Sequence, residues 1–73
     1  MPYVNIRITR EGATADQKAE LIGGVTELLR RVLGKNPATT VVTIDEVDFE
    51  NWGIGGLPVL DYRASQTAKE PPR

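Results

Sequence analysis

The 73-residue sequence predicts a single small domain of the α/β (α+β) class, built from one β-α-β unit and a short C-terminal hairpin. Three observations predict this class: an alternating apolar stretch opens the chain, a long stretch of helical periodicity follows it, and a stretch rich in β-branched residues comes next. Two strands joined by a helix of about 20 residues are expected to be parallel.

The first strand is predicted over residues 3–9. Val4, Ile6 and Ile8 alternate with polar residues there, which is the pattern of a half-buried strand. The segment at residues 10–13 then interrupts the alternation.

The helix is predicted to begin after Thr14, because Thr14 and Gln17 have the spacing of a capping box. Gly34, followed by Asn36-Pro37, is typical of its end. One broad apolar face joins the two ends. Its members are Leu21, Ile22, Val25, Leu28, Leu29, Val32 and Leu33.

The second strand is predicted at residues 40–47, which are rich in Val, Thr and Ile. Residues 51–59 hold three glycines in four positions around Ile54, a pattern that indicates a turn or short hairpin. The domain is therefore expected to cover residues 2–63. Residues 64–73 are polar, end near a Pro-Pro pair and are predicted to form a flexible tail.

Composition excludes several kinds of function. The chain has nine basic and ten acidic residues and a net charge of −1, so no charge excess indicates nucleic acid or an anionic membrane as partner. It lacks Cys and His, which excludes disulfides and thiolate metal sites and removes the commonest metal ligand. No apolar run approaches the ~20 residues of a membrane span and no signal-peptide pattern is present, so a cytoplasmic location is expected.

The small size predicts an oligomer. A chain of this length buries only roughly 60% of its unfolded surface, and one β-α-β unit supplies only two strands to cover the helix. We therefore expect sheets from several subunits to join.

The candidate catalytic groups are few, because neither His nor Cys is available. The acidic segment at residues 45–50 alternates like a solvated strand end and lacks the ligand diversity of a metal site, so no metal is predicted. Pro2 is the remaining candidate. If Met1 is removed, Pro2 presents a secondary amine on a rigid ring, and burial of that amine lowers its pKa toward neutrality, where a general base works best. By itself, however, a proline that opens a strand is also an ordinary feature of sheet edges.

Three features together resemble the 4-oxalocrotonate tautomerase (2-hydroxymuconate tautomerase) family: Pro2 at the start of a strand, DQKAELI at the helix start, and WGIGG after the second strand. The resemblance extends over roughly residues 2–57. It implies a tautomerase-like fold and an isomerase that works without a cofactor on small 2-hydroxy-diene or α-keto acids. It also implies Pro2 as general base and a homo-oligomer, expected to be a hexamer. Trp52 stands where the family has an aromatic residue that closes the site from a neighbouring subunit, although a core or interface tryptophan is the simpler alternative.

The sequence departs from the family at two arginines that bind substrate, because Ala13 and Val41 stand in their places. Arg10 is the best candidate to replace the first, since an arginine binds a carboxylate bidentately. Arg10 lies eight residues from Pro2, about 26 Å along an extended strand, so the two are expected to meet only between subunits.

Other residues near the proposed site have two interpretations each. Tyr3 neighbours the amine and is a candidate to line the pocket or donate a hydrogen bond, or it is an ordinary sheet residue. Arg7 and Arg63 are further candidate anchors, or solvated surface charges. At the level of the reaction, the alternatives are hydration, dehalogenation or decarboxylation with a protonated proline, and a non-catalytic oligomeric scaffold.

Overall fold

The computed structural model describes residues 1–69, and the side chains of its last helix as far as Gln66. The elements in chain order are β1 (Tyr3–Thr9), α1 (Ala15–Leu33), β2 (Val41–Val47), β3 (Gly53–Ile54), β4 (Leu57–Pro58) and α2 (Val59–Lys69), with short 3₁₀ turns at Pro37–Thr39 and Phe49–Asn51. This order confirms the predicted β-α-β unit followed by a hairpin.

Strands β1 and β2 pair in parallel, as predicted, from Tyr3 opposite Val41 to Thr9 opposite Val47. Exposure alternates along β1: residues 4, 6 and 8 are half-buried, whereas residues 3, 5 and 7 are exposed. The half-buried face lies toward α1, because Glu46 on that face of β2 forms an ion pair with Lys18 of the helix. The opposite face of the sheet is therefore the polar one.

Helix α1 begins and ends at the predicted signals. Thr14 and Gln17 form the full capping box: the Gln17 N–H donates to Thr14 Oγ1 at 3.1 Å, and the Thr14 N–H donates to Gln17 Oε1 at 2.9 Å. At the other end Gly34 adopts φ 67° and donates its N–H to the carbonyl of Arg30 at 2.9 Å. Glycine suits this left-handed cap because it has no Cβ to strain.

The predicted hairpin is present as β3 and β4, an antiparallel pair with Ile54 opposite Leu57. Gly55 and Gly56 form its turn with φ 63° and 82°, the left-handed conformation that a type I′ hairpin turn requires at both central positions. The N–H of Val59, the first residue of α2, donates to the Trp52 carbonyl at 2.8 Å. This hydrogen bond fastens the base of the hairpin to the start of the last helix.

Helix α2 extends to Lys69 and therefore includes residues 64–69 of the predicted tail. The flexibility of that segment stays a prediction. Polar composition was the basis of that prediction, but Ala, Gln and Lys are also good helix formers. The predicted domain boundary at residue 63 therefore falls inside α2. Residues 70–73 of the predicted tail lie outside the described residues.

The described part of the chain has almost no core of its own. Val59, at 6% exposure, is the one buried residue in it. The radius of gyration is 16.8 Å, against about 11 Å for a compact chain of this length. No helix within residues 1–69 is long and apolar enough to cross a membrane. A single subunit thus leaves much of its apolar surface uncovered.

Candidate active site

Pro2 lies at the very start of the paired sheet. Its carbonyl accepts a hydrogen bond from the Val41 N–H at 3.0 Å, one position before the β1–β2 pairs begin. The ring is half-buried, whereas Met1 before it is 92% exposed. The carbonyl side of Pro2 is therefore fixed by β2, and its nitrogen side faces the open end of the chain.

Tyr3 lies on the polar face of the sheet, next to Pro2. Its side chain follows the sheet toward β2, where the hydroxyl is 3.1 Å from Thr43 Oγ1. The same Thr43 oxygen accepts from Asn5 Nδ2 at 2.7 Å, and Asn5 Nδ2 also donates to Asp45 Oδ2 at 2.9 Å. Asp45 in turn pairs with Arg7, at 3.5 Å. These five side chains form a polar ladder across the two strands, which begins beside Pro2 and ends at Arg7.

Trp52 lies at the opposite end of β1 from Pro2. It is half-buried and lines a cavity of about 580 Å³, which we call the Trp52 cavity. The end of β1 and the loop before α1 supply most of the other walls. Among the lining residues are Arg7, Thr9, Glu11, Ala13 and Gln17. Ile8, which also lines this cavity, lies six positions after Pro2, so roughly 20 Å of strand separates Pro2 from this wall of the Trp52 cavity in one subunit.

Arg10 lies in a different cavity, of about 520 Å³, with Phe49, Pro58 and Leu60 among its walls. Arg10 Nε donates to Asp48 Oδ1 at 2.8 Å, and Arg10 Nη1 is 4.0 Å from Glu46 Oε2. The hydrogen bond to Asp48 raises the pKa of the Arg10 guanidinium, and the charges of Asp48 and Glu46 add to this effect. The role of Arg10 as a substrate anchor stays a prediction, and two carboxylates of its own chain already compete for it.

Glu11, at the rim of the Trp52 cavity, is also engaged by its own chain. The Thr9 hydroxyl donates to its carboxylate, and Arg63 approaches that carboxylate at 3.2 and 3.4 Å. These two hydrogen bonds lower the pKa of Glu11, the one from Thr9 contributing most. Arg63 in addition lies 5.6 Å from the centre of the Phe49 ring. Arg63 therefore ties the start of α2 to the loop before α1.

The structure thus divides the predicted site residues into three groups. Pro2 and Tyr3 lie at one end of β1, Trp52 and Arg7 share a cavity at the other end, and Arg10 lines a separate cavity. The polar ladder and the position of Glu11 were not predicted from the sequence. The register between β1 and β2 brings the ladder together, and that register cannot be derived from either strand alone.

Three comparisons relate this chain to known proteins. The family model described as tautomerase enzyme matches residues 2–62. A protein of Dickeya dadantii (strain 3937) named probable tautomerase K2 is 67% identical over 63 residues, which cover 86% of this chain and 94% of that protein.

Solved structures have the same fold. The crystal structure of DmpI from Helicobacter pylori superposes with a TM-score of 0.80 at 48% identity and covers 86% of this chain and 97% of its own. A heterohexamer 4-oxalocrotonate tautomerase from Chloroflexus aurantiacus J-10-fl reaches a TM-score of 0.74 at 26% identity, over 84% of this chain and 97% of its own. The tautomerase fold and the family resemblance of the sequence are therefore confirmed. This chain belongs to the tautomerase family, whose enzymes are isomerases.

Proposed function

We propose that this protein is a cofactor-independent tautomerase that interconverts the keto and enol forms of a small 2-hydroxy-diene or α-keto acid, with Pro2 as general base. The observation that carries the proposal is the position of Pro2, whose carbonyl is held by β2 while its nitrogen lies at the open end of the chain. A cytoplasmic homo-oligomer, a hexamer by analogy with the heterohexameric neighbour, is part of the same proposal.

Removal of the exposed Met1 converts the Pro2 nitrogen from an amide, which has no basic lone pair, into a secondary amine. The ordinary pKa of an α-amine is about 7.7–8.0, and apolar surroundings lower it because they disfavour the ammonium form. The neutral amine takes a proton from the substrate hydroxyl or α-carbon and becomes an ammonium. It then returns a proton to another atom of the conjugated system, so the amine is regenerated and no other reactant is needed.

The site is proposed to lie between subunits. Pro2 and the Trp52 cavity of one chain lie at opposite ends of β1, with roughly 20 Å of strand between Pro2 and Ile8 of the cavity wall. A site that contains both residues must therefore take Pro2 from one subunit and Trp52 from another. In that arrangement Trp52 and its apolar neighbours exclude water and favour the neutral amine, while Tyr3 lies beside the amine with its hydroxyl held by Thr43.

The direct test compares the protein with its Pro2→Ala variant on 2-hydroxymuconate and phenylenolpyruvate. The mass of the intact chain must first establish that Met1 has been removed. We expect Pro2→Ala to lower kcat/KM by about 10²- to 10⁴-fold, the usual contribution of a general base. A circular dichroism spectrum and an oligomeric mass equal to those of the native protein serve as controls. Equal rates for the two proteins would remove Pro2 from the mechanism.

The pH profile tests the direction of proton transfer. With Pro2 as base, activity is lost as the pH falls through the pKa of the amine, because the ammonium has no lone pair. With a protonated proline acting as acid, as hydratases and dehalogenases would require, activity is lost as the pH rises instead. The second result would leave Pro2 essential but overturn the tautomerase mechanism.

A further inference from the structure

An acidic substrate needs a cation in the site, and the structure allows the candidates to be ranked. This inference rests on the proposed function. Three arginines lie near the end of β1 or the loop that follows it: Arg7, Arg10 and Arg63. A substrate carboxylate has to compete with whatever carboxylate already holds each guanidinium, so the strength of the existing contacts decides which cation is available.

Arg10 and Arg63 each make more than one contact within their own chain. Arg10 donates a 2.8 Å hydrogen bond to Asp48, a length typical of a charge-assisted bond, and also lies near Glu46. Arg63 approaches the Glu11 carboxylate through two nitrogens and lies against the Phe49 ring. A substrate that recruited Arg10 would break its contacts with both Asp48 and Glu46, and one that recruited Arg63 would break two contacts with Glu11 and one with the Phe49 ring.

Arg7 is held more weakly. Its ion pair with Asp45 measures 3.5 Å, longer than the 2.7–2.9 Å typical of a charge-assisted hydrogen bond, and its side chain is 65% exposed. Asp45 has a second donor in Asn5 Nδ2 at 2.9 Å, so it keeps a hydrogen bond if Arg7 turns away. Of the three arginines, Arg7 also shares the Trp52 cavity.

We infer that Arg7 is the residue that binds the substrate carboxylate, exchanging its contact with Asp45 for the substrate in the Trp52 cavity. The guanidinium has five N–H donors in a planar fork, which suits two-point binding of a carboxylate. Arg7 lies five residues from Pro2, about 17 Å along the strand. It therefore acts on a substrate whose proton is taken by Pro2 of a neighbouring subunit.

The test separates carboxylate binding from proton transfer by comparing phenylenolpyruvate with its methyl ester. For Arg7→Gln we expect KM for the free acid to rise by about 10- to 100-fold with little change in kcat. This pattern is expected when the lost contact binds the substrate and the transition state equally well. The kinetics of the neutral ester should stay unchanged. Arg7→Lys keeps the charge but loses the planar fork, so its KM for the acid should lie between those of the native protein and Arg7→Gln.

Two further variants sharpen the assignment. Asp45→Asn removes the competing charge while keeping an acceptor for Asn5, so it should lower KM for the acid several-fold. This decrease in KM should disappear in the Arg7→Gln/Asp45→Asn double variant, because Asp45→Asn lowers KM only by releasing Arg7 from its ion pair. Arg31→Gln, an exposed substitution in the last turn of α1, is the matched control and should behave as the native protein on both substrates.

Each contrary outcome has a defined meaning. If Arg10→Gln raises KM for the acid selectively and Arg7→Gln does not, Arg10 is the anchor and the inference is overturned. If Arg7→Gln lowers kcat on acid and ester alike, Arg7 supports the structure and binds no carboxylate. In both cases a strong loss of activity in Pro2→Ala would leave the proposed function intact. Full activity of Pro2→Ala would instead remove the proposed function, whatever Arg7 does.

Discussion

Among single residues, Glu46 shows how the protein holds its helix against its sheet. It lies on the helix-facing side of β2 with its side chain 12% exposed, and its carboxylate pairs with Lys18 of α1. The hydrogen bond from Lys18 lowers the pKa of Glu46, desolvation opposes this effect, and the charges of Lys18 and Arg10 add to it. Glu46 is therefore a carboxylate that stabilises the fold while it is ionised.

A dependence of stability on pH follows from the lowered pKa. In the unfolded chain the pKa of Glu46 has its ordinary value of about 4.3, and in the folded protein it is lower. At a pH between these two pKa values the unfolded chain therefore binds more protons than the folded protein. The contribution of Glu46 is therefore complete above the unfolded pKa and is lost as the pH falls through the folded pKa. We expect Glu46→Gln to lower the urea midpoint at neutral pH and to flatten its fall between about pH 5 and pH 3.

Glu20→Gln, an exposed substitution on α1, is the control for the loss of one negative charge. Its urea midpoint should follow the native curve over the whole pH range. If the urea midpoint of Glu46→Gln fell with decreasing pH as steeply as that of the native protein, the ion pair between Glu46 and Lys18 would make no pH-dependent contribution to stability.

Among the elements, those marked by local signals could be predicted from the sequence. The Thr14–Gln17 capping box marked the start of α1, Gly34 marked its end, and the alternation in residues 3–9 located β1. Each of these signals acts within a few residues, so it can be recognised in the chain alone. Helix α2 follows directly after Pro58, whose side chain offers no capping oxygen, and its polar composition suits a loose tail as well as a helix.

The candidate site could be predicted only in part, because its parts meet through pairing and assembly. Pro2 and Trp52 were recognised as individual residues. The contact of Asp45 with both Asn5 and Arg7, however, depends on the β1–β2 register. Arg10 could not be ranked against Arg7 until the partners of both guanidinium groups were known.

The capping box of α1 gives a prediction at the scale of this element. Thr14→Ala removes the side-chain acceptor for the Gln17 N–H and should lower the free energy of unfolding by about 1 kcal/mol. Thr14→Ser keeps the hydroxyl and should recover most of the loss. Urea unfolding followed by circular dichroism at one fixed protein concentration measures both. Equal midpoints for the Ala and Ser variants would show that the cap does not stabilise the helix.

For the whole molecule, the decisive feature is the apolar surface that one subunit leaves uncovered. Large apolar residues on every main element are more than a third exposed, among them Val32 at 62%, Val41 at 44% and Leu60 at 52%. The molecule also extends 48 Å along its longest axis, against 25 and 23 Å along the others. Few soluble monomers leave this many large apolar side chains exposed, so we expect neighbouring subunits to supply the missing core.

Folding and assembly should therefore be one process, and stability should depend on protein concentration. A hundredfold dilution, from about 100 µM to about 1 µM, weakens each association step by about 2.7 kcal/mol, a large part of the 5–15 kcal/mol that holds a typical domain together. We expect the melting temperature to fall on dilution and the loss of helix signal to coincide with dissociation. Thermal circular dichroism paired with light scattering at both concentrations measures this. An unchanged melting temperature together with a folded monomer would contradict it, because Val59 and the half-buried sheet face would then have to suffice as a core.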